Sequence, residues 1–180
     1  MSAISFSLFN SPIGHFAIAW GVRGIFTVQL PEPGERETSA RLIRRFPGVR
    51  ETAPPPDIQR AGEAIQALLR GESVDLSFIE LDLSSVPAFH QRVYAVARTI
   101  PPGKTITYGD LAKQLGEVGL ARTVGQALGR NPFALVVPCH RVLAAHGKLG
   151  GFSASGGVRM KQQLLQIEGA ESGGEPSLFD

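Results

Sequence analysis

The residue types most able to do chemistry in this chain meet at Pro138-Cys139-His140-Arg141, which holds its only cysteine. A thiol reacts as the thiolate, and imidazole or guanidinium neighbours favour ionisation from the ordinary value of about 8.5. The competing reading is that a lone cysteine is a small buried hydrophobe. A filler wants apolar company, however, and the two side chains behind Cys139 are polar and basic. The apolar run Phe133-Ala-Leu-Val-Val137 ahead of Pro138 reads as a buried strand that stops. Loops at strand ends are where reactive groups collect, so Cys139 is expected to be a nucleophile.

From Val118 to Ile167 the sequence has no Asp or Glu, yet Arg122, Arg130, Arg141, Lys148, Arg159 and Lys161 fall inside that window, with His140 and His146. Unless the gap in acids is chance, this half presents a surface to a polyanion, nucleic acid foremost. Glu168 closes the gap just before Gly169, at the expected C-terminal end of a helix, where the dipole disfavours a carboxylate. A partner must compensate it, and His140 is the natural candidate.

The elements that hold these residues belong to an ordinary globular chain: 43% hydrophobic and 19% charged residues exclude disordered and fibrous classes. A single cysteine excludes an internal disulfide and a thiolate zinc cluster, and suits a reducing, cytoplasmic interior. No apolar run approaches the roughly 18 residues of a membrane span, and Met1-Ser-Ala-Ile-Ser-Phe6 lacks a basic leader. Neither export nor membrane insertion is expected.

Alternating apolar residues and turns predict three short antiparallel strands: Ile4 to Leu8, Phe16 to Trp20 and Ile25 to Leu30. A helix with Leu42, Ile43 and Phe46 on one side follows and ends near Pro47-Gly48. Asp57 can cap a second helix with Ile58, Ala61, Ile65, Leu68 and Leu69 on one face, and Leu76 to Leu83 reads as a further strand. His15 in this half reads as a surface or strand residue.

From Ala88 the pattern turns helical, with Phe89, Val93, Val96, Ala97 and Ile100 on one face and His90 and Arg92 toward solvent. Thr107 and Asp110 form a capping-box pattern that opens a short helix with Tyr108, Leu111, Ala112 and Leu115 in register. After Gly116-Glu-Val-Gly119 comes a second short helix burying Leu120, Val124, Ala127 and Leu128, which together make a helix-turn-helix. Its other face carries Arg122, Gly125, Gln126 and Gly129. Glycine costs about 1 kcal/mol relative to alanine inside a helix, so either the helix is poorly made or something approaches it closely. The loop Gly147 to Gly157 lacks the Gly-Lys-Ser/Thr ending of a P-loop and is either a connector or a pocket wall of backbone N–H groups. A final helix, Val158 to Glu168, is expected to pack Met160, Leu164 and Ile167.

The fold class is therefore α/β, of the α+β kind: a small sheet-plus-helix domain over 1–84, a mostly helical, winged-helix-like domain over 85–169, and a flexible tail over 170–180. The tail ending Pro176-Ser-Leu-Phe179 resembles short peptides that dock on sliding-clamp proteins.

Taken together, Pro138-Cys139-His140-Arg141-Val142, Arg130-Asn131-Pro132, Ala121-Arg122-Thr123-Val-Gly125, Ile106-Thr-Tyr108 and Lys161-x-x-Leu-Leu-x-x-Glu168-Gly169 closely resemble the O6-alkylguanine-DNA alkyltransferases. The likeness runs from about Ala88 to Gly169 in order and spacing, and Ser11-Pro-Ile-Gly14 looks like a turn of the family's N-terminal domain. The resemblance implies a DNA repair protein that flips an O6-alkylguanine, or an O4-methylthymine, out of duplex DNA and moves the alkyl group irreversibly to its own cysteine. Cys139 would be the acceptor. His140, held by Glu168, would take the thiol proton through a water, Tyr108 would donate a hydrogen bond to the departing guanine, and Asn131 would brace the turn. Arg122 would replace the flipped base, with Thr123, Gly125, Gln126, Gly129, Arg130 and Arg141 along the DNA, while Val142, Phe152 and Ser153 would line the guanine pocket. No cofactor or metal is implied, since the zinc site of the human member uses cysteines that this chain lacks. A monomer that acts on duplex DNA, alone or cooperatively, is the expected state.

This sequence departs from that human member in three places: the loop Gly151 to Gly157 is longer, Phe152 replaces a tyrosine and Ala134 a proline. Two other classes compete. Alkyltransferase-like proteins bind damage without transfer but carry tryptophan at the position of Cys139. A cysteine hydrolase would need its thiolate and histidine to meet, which adjacency in sequence makes difficult.

Overall fold

The computed structural model describes residues 3–152 and 156–170. Ser153 and the segment 171–180, with its Pro176-Ser-Leu-Phe179 ending, lie outside the described residues. The chain divides into two compact units, Met1–Ser85 with Pro132–Val136, and Val86–Asn131 with Val137–Asp180. Residues 132–136, expected in the second domain, thus belong to the first.

In the first unit, β1 (Ser5–Phe9), β2 (Phe16–Gly21) and β3 (Gly24–Gln29) form the expected antiparallel sheet. Strand alternation puts the pairs Phe6/Ala19 and Leu8/Ala17 on one face, where Leu42 and Val49 complete a buried cluster with Phe26 and Phe46 against it. α1 (Glu35–Arg45) supplies Leu42, whereas Ile43, expected on the same side, is 46% exposed. β4 (Arg50–Glu51) adds a parallel edge beside β1 that its exposed, charged residues leave unannounced in the pattern. The aromatic rings of Phe9 and Phe16 stack with centres 5.4 Å apart. α2 (Pro56–Leu69) buries all five residues of its expected stripe. Its Gly62 lies so close to Phe9 that a Cβ would overlap the ring.

Three expectations for this unit fail on local backbone chemistry. Asp57 does not cap α2: Pro55 is the N-cap and Pro56 takes the first position, where its missing N–H costs nothing. Leu76 to Leu83 is not a strand, because the Asp75 carboxylate accepts the Ser77 N–H at 2.9 Å and turns the chain, leaving Leu81 a single bridge to Ile25. In the run Phe133 to Val137 every residue but the half-buried Ala134 is buried as expected, but the run is not a strand either. After one bridge from Phe133 to Val28, Leu135 takes φ 73° beneath a 2.8 Å bond from the Val136 N–H to the Ala134 carbonyl. A hydrophobic pattern reports burial; it is blind to one left-handed residue that reverses the chain.

In the second unit α3 (Ala88–Ala97) buries Val93 and Ala97, and also Tyr94, whose hydroxyl donates to the Ala127 carbonyl at 2.7 Å. His90, expected in solvent, is half-buried. β5 (Ile106–Thr107) runs directly into α4 (Tyr108–Gln114). The capping box is present there: Thr107 Oγ1 accepts the Asp110 N–H at 3.0 Å, and the Asp110 carboxylate accepts the Thr107 N–H at 3.5 Å. Gly116 and Gly119, at φ 76° and 92°, turn the chain into α5 (Ala121–Gly129), which packs on α3 and α4. Leu120, expected in the core, is the N-cap residue and is 36% exposed. β6 (Val142–Leu143) pairs in parallel with β5, and α6 (Gly157–Ile167) buries Lys161, Leu164 and Leu165, while Met160 and Ile167 are only half-buried. Among the described residues no helix is long and apolar enough to cross a membrane.

Candidate active site

Pro138 sets the reactive turn. With φ −80° and ψ 68° it centres a three-residue turn, closed by the Cys139 N–H on the Val137 carbonyl at 2.8 Å; the pyrrolidine ring fixes the φ this requires. Cys139–Arg141 then form one 3₁₀ turn, so successive side chains leave in different directions. Cys139 stays partly accessible, and His140 and Arg141 are buried at 1% and 5% exposure. The Asn131 amide donates to the Val137 carbonyl at 2.9 Å, bracing the approach to the turn.

Glu168 resolves its poor position on α6 through two partners. Arg141 Nε and Nη2 donate to Oε1 and Oε2 at 2.9 and 2.8 Å, and His140 Nε2 lies 2.9 Å from Oε2. Arg141 Nη1 donates to the Ile100 carbonyl at 2.6 Å. Arg141, expected among the DNA contacts, is therefore an internal brace, because both edges of its guanidinium are already committed. Burial works against the Glu168 carboxylate, but hydrogen bonds from His140 and Arg141 win and hold its pKa down at about 2. Burial pushes the His140 imidazole below its ordinary value despite Glu168. The thiol of Cys139 is pushed up by burial, against the Asn131 amide, the Lys161 charge and backbone N–H groups.

The β5/β6 pairing brings Tyr108, the residue after β5, to the same turn. Burial, then the nearby Cys139, raises its phenol. Gly125 is half-buried with its Cα side against the Tyr108 ring, a Cβ there standing 3.9 Å away. Its small size thus serves packing, whereas Gly129 faces open space. Arg122, Thr123, Gln126, Gly129 and Arg130 are exposed on and just beyond α5. Phe152 is half-buried and Val142 is buried.

Lys161 was expected on the basic surface and is instead fully buried, at 0% exposure. Its ammonium donates to the Val142 carbonyl at 2.8 Å, to Gly151 at 3.4 Å and to the Tyr108 hydroxyl at 3.5 Å. The sequence signal for this is its spacing: Lys161 stands three and four residues before Leu164 and Leu165, on the buried stripe of α6. Of the six cations in the acid-free window, Arg122, Arg130, Lys148 and Arg159 are exposed, and Arg141 and Lys161 are not.

Residues 88–170 match the family model described as the 6-O-methylguanine DNA methyltransferase DNA-binding domain. A methylated-DNA–protein-cysteine methyltransferase of Mycobacterium tuberculosis is 42% identical over 129 residues, covering 72% of this chain and 76% of that protein. One of Methanothermobacter thermautotrophicus is 33% identical over 91% of this chain and 85% of its own. The fold is similar to that of Mycobacterium tuberculosis OGT solved in complex with DNA, with a TM-score of 0.73 and 34% identity over 94% of this chain and 96% of that one. The chain belongs to the methylated-DNA–protein-cysteine methyltransferase family.

Proposed function

We propose that this protein repairs alkylated DNA by taking the alkyl group from the O6 of a guanine, flipped from duplex DNA, onto Cys139, one transfer per molecule. The observation that carries the reading is the commitment of His140. Arg141 is a pure donor and occupies both oxygens of Glu168, so Glu168 remains an acceptor toward His140 Nε2. The imidazole then carries its proton on Nε2 and keeps Nδ1 as a free base. His140 is neutral near pH 7 because burial lowers its pKa, which is the state a base needs.

In the transfer, Nδ1 of His140 takes the thiol proton through a bridging water, and the thiolate attacks the alkyl carbon. The carbon–oxygen bond breaks with its electron pair going to the guanine, which leaves as an anion and is reprotonated. Tyr108 suits the departing base: Lys161 can only donate, so the phenol oxygen accepts from it and the O–H is free to donate outward. Asn131 braces the turn, Arg141 braces Glu168, and Val142 and Phe152 flank the pocket. The exposed Arg122, with Thr123, Gln126, Gly129 and Arg130, meets the DNA along a helix-turn-helix made of α4 and α5, Arg122 taking the place of the flipped base. The site of action is cytoplasmic DNA, and the protein acts as a monomer.

The test is to incubate the protein with duplex DNA containing O6-methylguanine and weigh it. One methyl group gained at Cys139, with product formation stopping at one per protein, is expected. Sustained turnover would indicate a hydrolase, and DNA binding with no mass gain would indicate a damage-binding protein. Cys139→Ala is expected to bind DNA and transfer nothing.

A further inference from the structure

Lys161 is a buried ammonium for which stability alone offers no account. A hydrocarbon side chain at a fully buried helix position is as stable as a charged one or more so, since dehydrating a charge is costly. The three oxygens it meets, Val142, Gly151 and Tyr108, are all neutral. Among the described residues no carboxylate forms an ion pair with it, and Glu168, one helical end away, is occupied by Arg141 and His140. The groups facing it that titrate are Cys139 and His140 on the 3₁₀ turn and Tyr108 on α4. His140 can only add positive charge. Cys139 is the group whose ionisation the reaction needs.

The anchoring also fixes where the charge sits. The Val142 carbonyl that holds Nζ at 2.8 Å follows directly on the Cys139–Arg141 turn, and the same Nζ stands 5.7 Å from the centre of the Tyr108 ring. The charge is thus clamped between the reactive turn and the residue that faces the leaving group.

We infer that Lys161 is a positioning residue of this site, its ammonium serving as the buried counter-charge of the Cys139 thiolate. The role rests on the alkyl-transfer reading for its use, but not for its existence. The Lys161 charge favours the thiolate of Cys139, and the thiolate in turn favours the ammonium. Burial lowers the ammonium, Cys139 opposes that fall, and the outcome is a pKa of about 8, so the charge on Lys161 is coupled to the charge on the thiol. Alkylation turns the sulfur into a neutral thioether and removes the anion that Lys161 faces.

Two measurements decide it. The first follows the rate of Cys139 carbamidomethylation by iodoacetamide against pH in the native protein and in Lys161→Met. The profile is expected to move to higher pH in the variant, with the rate of methyl transfer from DNA at pH 7 falling about tenfold per unit of that shift. A folded Lys161→Met protein with an unshifted profile overturns the inference, since a bracket that merely joined two carbonyls would leave the thiol's titration alone. The second uses the native protein and stays informative if that variant does not fold. The ammonium of Lys161, followed by nitrogen NMR, is expected to titrate at lower pH after Cys139 has been blocked with iodoacetamide, and an unchanged titration overturns the inference. Neither titration uses methylated DNA, so its failure is distinct from failure of the mass measurement that tests alkyl transfer.

Discussion

In the sheet unit the largest fully buried side chains are Phe6, Phe16, Ile18, Leu42, Ile65, Leu68, Phe133 and Leu135, and its buried polar residues, Ser7, Thr27, Gln29 and Thr38, carry no charge. In the helical unit the interior holds His140, Arg141 and Lys161 alongside Leu111, Leu164 and Leu165, with Glu168 completing the ionic set. The first arrangement removes hydrocarbon from water and needs only shape. The second dehydrates charges, which stabilises little by itself and makes each charge depend on its partner. The difference separates a scaffold from a machine part: where a chain spends stability on buried charge, chemistry is the return.

Breaking one partner of the ionic set should have the largest effect. Arg141→Leu leaves Glu168 with one of its three donors and the Ile100 carbonyl without its guanidinium bond, and should cost about 3–5 kcal/mol in denaturant unfolding. It should also slow alkyl transfer, because Glu168 then no longer holds His140 in one orientation. A loss no greater than a surface change would put the two units on the same footing.

Acid should act on the helical unit next. The Glu168 carboxyl is held at about 2 against its ordinary 4.5, so it contributes stability that is present above pH 4.5 and lost as pH falls toward 2. The His140 imidazole, kept below its ordinary 6.5, adds a loss in the same direction as pH falls below that value. Unfolding free energies measured from pH 7 downward should therefore fall by a few kcal/mol in the native protein, and distinctly less in Glu168→Gln. Equal slopes for the two would mean that other carboxyls govern the acid response.

The smallest change tests the scaffold alone. In Gly62→Ala the new methyl group meets the Phe9 ring, and overpacking should cost about 1–3 kcal/mol. The pH profile of Cys139 reactivity should not move, since Gly62 and the titrating groups of the site belong to different units. A shifted profile would show that the sheet unit tunes the chemistry as well as carrying stability.

The contrast also governs what could be read from residues. Regular periodicity made β1, β2, β3, α2 and the α4 capping box legible, because alternation and helical spacing are properties of neighbours in sequence. The reactive stretch was legible by type, since one cysteine beside His and Arg is unusual in any chain, and Glu168 by its misplacement at a helix end. What misled were cases where one residue overrides a pattern: Leu135 at φ 73°, the Asp75 turn ahead of Leu76, and Pro55-Pro56 displacing Asp57 as the cap. Counting charge along the sequence misled as well, placing Arg141 and Lys161 on a surface.

By itself the sequence singled out Cys139 as the candidate nucleophile, paired His140 with Glu168, marked the acid-free half and pointed to the family, because these follow from residue identity and spacing. Only the tertiary structure decided which cations stay in solvent and which are buried around the reactive turn. Burial is a property of the folded neighbourhood: Lys161 shares its stripe with Leu164 and Leu165, and Arg141 finds Glu168 only when α6 lies against the reactive turn. A side chain's charge is written in the sequence, but the partner that makes the charge useful is chosen by the fold.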